Sequence, residues 1–422
     1  MRILFVHQNF PGQYRHLAPQ LAADRRNQVF CITKRKDAAL PRITRVIYEP
    51  RRSPAPSTHD HLVKFEEAVL HGRAVASVAM QLKKKGFAPD IICAHSGWGE
   101  SLYLKDVYPD VPLLNYCEFY FHAFGGPAHF DPIQPITLDS LFRIRTRNIV
   151  NLLSLESCDW GVCPTRWQHA QHPAEFRDKI SVIHDGIDTR LCAPASDARV
   201  KLPSGMTLTR KDDVVTYVAR NLETVRGFPT FMRAAAELCR RRANCHVLVV
   251  GGDEVSYGPS LPEGQTYREN MLAEVTIDPD RVHFLGKVPY ATYIRILQIS
   301  SAHVYLTVPF VLSWSMLEAM SAGCLVIGSD TPPVTEVIEE GRNGLLVDFF
   351  DPVAVVDRVE EVLDHPDRMA DMRRRARETV VERYSLTKCL PAQLKLIEDQ
   401  ITGRRPDADR ALPTRARNPH QL

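Results

Sequence analysis

The sequence predicts an α/β protein with two doubly wound parallel sheets, and two features of its pattern predict this. Short apolar runs alternate with helical patterns along the chain, as in parallel sheets covered by helices. The alternation stops at residues 192–213, where polar and turn-forming residues replace the periodic apolar ones, and then restarts. We therefore expect an N-terminal domain at 1–195 and a C-terminal domain at 196–401, facing each other across a cleft. Residues 402–422 are rich in Pro, Arg and Asp and are expected to be disordered.

The first half contains six predicted strands. Each is an apolar run that is too short for a helix and is rich in branched, aromatic or cysteine residues. The first run is followed by a helix-like stretch, YRHLAPQLAAD. The predicted strands are ILFVH (3–7), QVFCIT (28–33), DIICAH (90–95), PLLNYC (112–117), WGVCPT (160–165) and KISVIHDG (179–186).

The second half repeats this arrangement. Helices are predicted at 228–241 and 291–300, and a third is expected to begin near Ser313, where Trp314 and Leu317 recur at helical spacing. The predicted strands are VVTYVAR (214–220), HVLVVGGD (246–253), RVHFLG (281–286), HVYLTV (303–308) and CLVIGS (324–329).

Charge and cysteine content exclude several classes of protein. The 53 basic and 50 acidic residues nearly balance, which argues against nucleic acid as a partner. The ten cysteines form no CxxC pair and no zinc-ligand spacing, so we expect reduced, mostly buried thiols. No segment is long and apolar enough to span a membrane, and the N-terminal apolar run is too short for a signal peptide. These features predict a cytoplasmic protein.

Ligands of doubly wound sheets bind at the carboxyl ends of the strands, so the loops there form the candidate site. After the first predicted strand, Gly12 would let the backbone approach a ligand, although a plain turn explains a single glycine equally well. The loop lacks the GxGxxG fingerprint, and the second strand runs into Lys34 rather than the acid that holds an NAD ribose. An NAD site is therefore disfavoured. His95 ends another predicted strand and is either part of an acceptor site or a structural group.

Two arginines and a glutamate in the second half indicate a nucleotide-sugar site. Arg220 ends a predicted strand, and Arg226 follows it on the same loop. Two guanidiniums on one loop suit a diphosphate, unless both are solvated or Glu223 neutralises one of them. Glu318 is suited to accept both hydroxyls of a ribose, although a lone acid is more simply a solvated residue of an amphipathic helix. A helix beginning near Ser313 would offer its first amides to phosphate.

These motifs resemble those of the retaining family 4 glycosyltransferases, whose GT-B fold has two Rossmann-like domains. The matching stretches cover most of residues 1–400 in family order, and those of the C-terminal half are the most specific. They are HQNFPGQYRHLA (7–18), CDWGVCPT (158–165), KISVIHDGID (179–188), the segment 220–227, VHFLGKVP (282–289), LEAMSAGCLVIGSD (317–330) and TEVIEEGRNGLLVD (335–348).

The resemblance implies roles for individual residues. Arg220 and Arg226 would bind the donor diphosphate and stabilise it as it leaves, with Arg226 in the place where the family usually has lysine. Glu318 would bind the donor ribose as the second glutamate of the family's E-x7-E signature. The remaining donor-binding positions would be Gly12 and the backbone amides of Leu312, Ser313, Trp314 and Ser315.

Two positions depart from the family pattern. Phe310 stands where the first signature glutamate is expected, and that acid ordinarily contacts the transferred sugar. In the N-terminal half, Glu118 stands where the family has a histidine. Either His122 replaces that histidine, or Glu118 itself approaches the sugar. Both residues are therefore candidate catalytic groups.

The resemblance implies transfer of a sugar from a nucleotide-diphosphate donor to an acceptor hydroxyl with retention, in polysaccharide, lipopolysaccharide or glycolipid biosynthesis. No metal is expected, because arginines can replace it at the diphosphate. The acceptor would be a glycan or a lipid-linked molecule. Arg143, Arg145 and Arg147 would then contact an anionic membrane from the cytoplasmic side, unless they form a solvated helix face. The alternatives are a nucleotide-sugar-binding protein without transferase activity and a GT-B-type sugar-nucleotide epimerase.

Overall fold

The structure is a computed structural model that describes residues 1–37, 39–133 and 135–406. The chain folds into two compact units. The N-terminal unit contains Met1–Phe124, Asp131–Gly186 and the chain from Thr387, and the C-terminal unit contains Gly125–Phe130 and Ile187–Leu386. Each unit has one fully parallel sheet with helices, so the predicted fold class is confirmed.

The predicted domain limits, 1–195 and 196–401, differ from this division. The C-terminal unit begins at Ile187, and the last helix belongs to the N-terminal unit. Leu396 and Ile397 of that helix are buried in the core that also contains strand residues of the first sheet. Burial of this apolar surface explains the assignment, and it joins segments from opposite ends of the chain. Most of the tail that was expected to be disordered, 407–422, lies outside the described residues.

The sheet of the N-terminal unit has seven strands in the order β3-β2-β1-β4-β5-β6-β7. The third strand was missed by the sequence pattern, because it lies at the sheet edge and Thr44 and Arg45 interrupt its apolar residues. The strands are β1 (Arg2–Val6), β2 (Gln28–Thr33), β3 (Ile43–Ile47), β4 (Ile91–His95), β5 (Leu113–Tyr116), β6 (Trp160–Cys163) and β7 (Ile180–Val182).

Helices connect these strands. The longest of them, α2, buries residues at helical spacing, including Ala68, Val75, Ala79 and Leu82, which gives it one apolar face. The helices are α1 (Leu17–Ala23), α2 (Val63–Lys84), α3 (Leu104–Val107), α4 (Leu138–Arg147), α5 (Ile149–Ser157), α6 (Arg166–Gln171) and α7 (Ala174–Arg177).

Residues 192–213, where the alternation of predicted strands and helices stops, lie near the start of the C-terminal unit. It contains a two-stranded antiparallel sheet of β8 (Arg199–Lys201) and β9 (Thr207–Thr209). The main sheet has six strands in the order β12-β11-β10-β13-β14-β15. These are β10 (Val214–Asn221), β11 (His246–Gly252), β12 (Val282–Gly286), β13 (Ala302–Tyr305), β14 (Leu325–Ser329) and β15 (Leu345–Val347).

The sequence pattern predicted the limits of two helices of the second half to within one residue. The predicted helix at 228–241 has the observed limits, and the helix at 291–300 is shifted by one residue. The helices are α8 (Phe228–Arg241), α9 (Tyr267–Glu274), α10 (Tyr290–Ile299), α11 (Trp314–Ala322), α12 (Pro332–Thr335), α13 (Pro352–Asp364), α14 (Pro366–Arg383) and α15 (Leu386–Ile401).

The strand order decides which loops meet. In the N-terminal unit β1, β4 and β5 are consecutive neighbours, and in the C-terminal unit β10 lies between β11 and β13. Parallel neighbours end at the same edge of a sheet, so the loops that follow them are brought together. The ten cysteines are buried thiols, as predicted. Among the described residues, no helix is long and apolar enough to cross a membrane.

Candidate functional site

The carboxyl ends of β1, β4 and β5 bring two histidines and a carboxylate together. His7 follows β1, His95 ends β4, and Glu118 lies just beyond β5. His7 Nε2 lies 2.7 Å from Gln13 Oε1, and Gln13 Nε2 donates a hydrogen bond to Glu118 Oε1 at 2.7 Å. His95 Nε2 lies 3.6 Å from Glu118 Oε2. We call His7, Gln13, His95 and Glu118 the Glu118 cluster.

Backbone amides determine which nitrogen of each histidine carries a proton. The Asn9 amide donates to His7 Nδ1 at 2.9 Å, and the Gly97 amide donates to His95 Nδ1 at 3.0 Å. A ring nitrogen that accepts a hydrogen bond has no proton, so a neutral ring carries its proton on Nε2. Both rings therefore direct an N–H group towards Glu118, His95 directly and His7 through Gln13.

The surroundings of Glu118 favour its ionised form. Burial by itself would raise its pKa, but the neighbouring His95 side chain outweighs burial, and Gln13 and His7 add to this effect. The pKa of Glu118 is therefore below its ordinary value. The side chain is still 26% exposed, so this carboxylate can accept hydrogen bonds from a ligand.

Gly12 is required by the packing around His7. Its φ is +46°, and a Cβ at this position would lie 2.5 Å from His7 Nε2. Any other residue would displace the ring. The Trp98 ring stacks on His95 with 4.0 Å between ring centroids, and so covers the other side of the cluster. Gly12 was predicted to let the backbone approach a ligand, and in the structure its missing side chain makes room for the His7 ring.

The two candidates for the family's histidine lie in different surroundings. His122 Nε2 lies 2.6 Å from the carbonyl oxygen of Gln171, and its ring packs 5.6 Å from that of Tyr120. Glu118 instead belongs to the group at the strand ends. The structure thus brings Glu118, and not His122, into the set of polar side chains at that edge of the sheet.

In the C-terminal unit, Arg226 lies among hydroxyl and carbonyl groups. It precedes Gly227, whose φ is +66° and where a Cβ would lie 2.5 Å from the Leu306 Cβ. Arg226 Nη1 donates to Thr307 Oγ1 at 2.8 Å and to Tyr305 OH at 3.3 Å. These acceptors lie at and beyond the carboxyl end of β13. The neighbouring strands β10 and β13 therefore build this group together.

Neither arginine of the loop is neutralised by an acid. Within the described part of the chain, no carboxylate oxygen lies within 4.0 Å of Arg220 or Arg226. Arg220 Nη1 donates to Tyr257 OH at 3.4 Å, and the Arg226 Cζ lies 5.9 Å from the centroid of the Tyr257 ring. Tyr257 thus contacts both guanidiniums. Two cations without a carboxylate partner in this part of the structure are suited to bind an anion.

Glu223 was considered as a residue that neutralises one of the two arginines, but its contacts in the structure are different. Its Oε2 accepts hydrogen bonds from three consecutive backbone amides, those of Ser256 at 3.2 Å, Tyr257 at 2.9 Å and Gly258 at 2.8 Å. The residue is fully buried. Its carboxylate therefore holds the loop that carries Tyr257, and it does not neutralise an arginine.

The start of α11, whose first amides were predicted to bind phosphate, lies beside Arg226. Ser313 is the N-cap, and its amide donates to Tyr305 OH at 2.8 Å, the same hydroxyl that accepts from Arg226. Arg226 Nη1 also donates to the Val311 carbonyl at 3.1 Å. The Ser315 amide donates to Ser313 Oγ at 3.3 Å, so two amides of the predicted segment, Leu312–Ser315, already have partners within the chain.

Glu318 is buried and clamped between two tyrosines of α10. It is 4% exposed, so the simple interpretation as a solvated residue is wrong. Tyr290 OH donates to Oε1 at 2.6 Å, and Tyr293 OH donates to Oε2 at 2.8 Å. Burial and the neighbouring carboxylate raise the pKa of both phenols, which keeps them protonated as donors. Tyr290 is 38% exposed, so a ligand hydroxyl can reach and replace its hydrogen bond.

An aromatic ring occupies the position of the first signature glutamate. The Phe310 ring packs 5.2 Å from the Tyr257 ring, with the Arg226 Cζ 5.9 Å from its centroid. Such distances allow a cation–π contact. The side chain also packs against the core of the unit. The region next to Arg226 is therefore aromatic where the family pattern predicts an acid.

Two family models match the two halves of the chain. A model of the glycosyl transferase family 4 group matches residues 25–192, and a model of glycosyl transferases group 1 matches residues 206–379. The chain belongs to the family 4, group 1 glycosyltransferases. The recognition made from the sequence motifs is thereby confirmed.

Curated relatives match parts of this family member. A D-inositol 3-phosphate glycosyltransferase of Corynebacterium efficiens is 31% identical over 194 residues, which are 44% of this chain and 43% of the relative. An alpha-D-kanosaminyltransferase of Streptomyces kanamyceticus is 28% identical over 174 residues, covering 41% of this chain and 42% of the relative. The chain thus matches less than half the length of these two relatives.

Solved structures resemble this chain over almost its whole length. Sucrose-phosphate synthase from Thermosynechococcus elongatus has a TM-score of 0.73 at 18% identity, and covers 96% of this chain and 100% of that one. Anabaena HepE in complex with UDP-glucose has a TM-score of 0.68 at 15% identity, and the match covers 94% of this chain and 100% of the HepE chain. At such low identity the likeness supports the GT-B fold alone.

Some residues of these groups were missed in the sequence. His7, Tyr305 and Thr307 lie at or just beyond the ends of strands, so the rule that sites form at carboxyl ends of strands would have found them. Gln13 and Tyr257 have no comparable signal. Gln13 lies in a 3-10 turn and Tyr257 in a loop, and each donates a hydrogen bond to a carboxylate that is distant in the sequence.

Proposed function

We propose that this glycosyltransferase takes its sugar from a nucleotide-diphosphate donor and transfers it to an acceptor hydroxyl with retention of configuration. The observation that carries the proposal is Arg226, a half-buried cation with hydroxyl neighbours and the start of a helix beside it, and with no carboxylate partner among the residues that the structure describes. A diphosphate supplies the missing negative charge and accepts several N–H and O–H donors at once. The complex of the structurally similar HepE with UDP-glucose supports this ligand class.

The chemistry follows from where charge develops. When the bond between the sugar and the diphosphate breaks, the leaving group gains negative charge. A fixed guanidinium beside it stabilises this state more than the bound donor, which lowers the barrier. Arg226 is held in place by Tyr305 and Thr307, so it does not have to reorganise during the reaction. Arg220 is exposed and can approach the same group from solvent.

The Glu118 cluster is proposed to bind hydroxyl groups of a sugar. Its carboxylate is ionised and partly exposed, and it is oriented by Gln13 and His95. Glu318 is proposed to bind the donor ribose after the Tyr290 hydroxyl has moved away. A glycan or lipid-linked acceptor and a pathway of polysaccharide, lipopolysaccharide or glycolipid synthesis remain part of the proposal. We also propose that the reaction needs no metal and that the protein contacts an anionic membrane surface.

A thermal-shift screen with UDP, GDP, ADP and their common sugars tests the donor site. A ligand at about 100 times its Kd stabilises the folded state by about 2.7 kcal/mol, which corresponds to about 5–10 °C for a unit of this size. Arg226→Gln and Glu318→Gln should remove the shift, whereas Arg375→Gln, a charge paired with Asp371 on α14, should keep it. No shift with any nucleotide in the wild-type protein would refute the donor site.

One observation favours a second function, a nucleotide-sugar-binding protein without transferase activity. Phe310 places an aromatic ring beside Arg226 where the family pattern has the acid that contacts the sugar. Release of nucleoside diphosphate that depends on an acceptor supports the transferase. Donor binding without any release supports the binding protein. Isomerised nucleotide sugar in the absence of an acceptor would indicate an epimerase instead.

A further inference from the structure

The C-terminal unit contains a cavity of about 580 Å³ at the far end of α11 from the candidate donor site. Gly323, the C-cap of α11, lines this cavity, whereas the donor candidates surround Ser313 at the other end. The helix has nine residues and is therefore about 14 Å long. The cavity volume falls within the range of about 300–1,000 Å³ that is usual for small-molecule sites.

Arginines dominate the polar lining. Four of them line the cavity together with two glutamates, and the remaining lining residues are apolar. The lining residues that matter here are Arg210, Arg373, Arg374, Arg377, Glu378 and Glu382.

One arginine and one glutamate of this set neutralise each other. Arg374 forms ion pairs with Glu378 and with Asp371. For the other three arginines, no carboxylate oxygen lies within 4.0 Å among the residues that the structure describes. An excess of positive charge therefore remains at the cavity.

The contacts of Arg373 and Arg377 fix their positions without neutralising them. Arg373 Nη2 donates to the Ser301 carbonyl at 2.9 Å. Arg377 Nη2 donates to the Thr189 carbonyl at 3.0 Å, and its Nη1 donates to the Cys192 carbonyl at 3.0 Å. Carbonyl oxygens satisfy hydrogen bonds but carry no full charge. Burial lowers the pKa of both arginines, and Arg210 is near enough for its charge to lower that of Arg373 further.

We propose that this cavity is a second anion site, which binds a small molecule carrying a phosphate group. The phosphate would lie between Arg210 and Arg373, where it would relieve the repulsion between the two guanidiniums and accept their free N–H groups. The cavity is larger than a phosphate ion, so the rest of a phosphate ester has room against Pro194, Ala370 and Val381. The site is independent of the proposed donor site and does not require it.

Titration calorimetry with inorganic phosphate and with glycerol 3-phosphate at constant ionic strength tests the proposal. The titrations use full-length protein with Arg226→Gln, which removes the other candidate phosphate site. We expect saturable binding of about one equivalent, with the ester binding more tightly than phosphate. Arg210→Gln and Arg373→Gln should each weaken binding about tenfold, because each removes a charged donor.

Two further variants make the result specific. Glu382→Gln removes a negative charge from the lining and should strengthen binding several-fold. Arg375→Gln removes an exposed arginine that lies outside the cavity and is paired with Asp371, so it should leave binding unchanged. Arg210 is exposed, so its variant is expected to fold even if Arg373→Gln does not. Absence of saturable binding, or binding that Arg210→Gln and Glu382→Gln leave unchanged, would overturn the proposal.

Discussion

Replacement of Glu223 should release the loop that holds Tyr257 against the arginines. The carboxylate accepts three backbone hydrogen bonds, from the amides of residues 256, 257 and 258, at 2.8–3.2 Å. A hydrogen bond to a charged group contributes about 1.5–3 kcal/mol, but these three share one oxygen and are not additive. We therefore expect Glu223→Ala to cost about 3 kcal/mol in local stability.

Hydrogen exchange of the peptide that covers residues 254–260 measures this loss directly. A cost of about 3 kcal/mol speeds exchange of these amides about a hundredfold, since 1.4 kcal/mol corresponds to a factor of about ten. Glu223→Gln keeps the shape of the side chain but loses the charge. It also places an NH₂ group where the buried Oε1 has no hydrogen-bond partner. We expect an increase of about tenfold for this variant.

A neighbouring acid provides the control. Glu254 lies in the same segment, but it is exposed and forms an ion pair with Lys287 at 2.7 Å. Exposed pairs contribute about 0–1 kcal/mol, so Glu254→Gln should change exchange less than about fivefold. Wild-type exchange rates in Glu223→Ala would refute the reasoning. Fast exchange throughout the C-terminal unit would also refute it, because the effect would then be global unfolding.

Three further predictions follow from the same contacts. Tyr290→Phe removes a hydroxyl donor that competes with the ligand for the Glu318 carboxylate, so UDP binding measured by calorimetry should become about fivefold stronger. Tyr293 is buried, so Tyr293→Phe should leave UDP binding unchanged. Phe310→Glu places a carboxylate near Arg226, which should weaken diphosphate binding about tenfold; stronger binding would contradict this. Burial lowers the pKa of His303 from 6.5 to about 3, so the folded state binds fewer protons and stability falls as pH drops below about 6.5. Urea unfolding between pH 7 and 4.5 should be less pH-dependent in His303→Asn.

The regular parts of the fold were predictable because their signal is local. Apolar runs marked most strands of both sheets, and the pattern at 228–241 defined α8 to the residue. The edge strand β3 was missed because a half-exposed strand does not need an apolar run. The hairpin of β8 and β9 was missed because its strands are only three residues long.

The sequence by itself determined the fold class and the glycosyltransferase family, and it predicted some of the residues around the candidate sites. Motif spacing and the alternation of strands and helices are properties of neighbouring residues, so they can be read without coordinates. Only the tertiary structure decided the partners of those residues. Glu223 binds backbone amides and not an arginine, Glu318 is clamped by two tyrosines, and Glu118 joins two histidines. Which side chains meet depends on the order of strands in the sheet, and strand order is fixed by long-range packing that leaves no local trace.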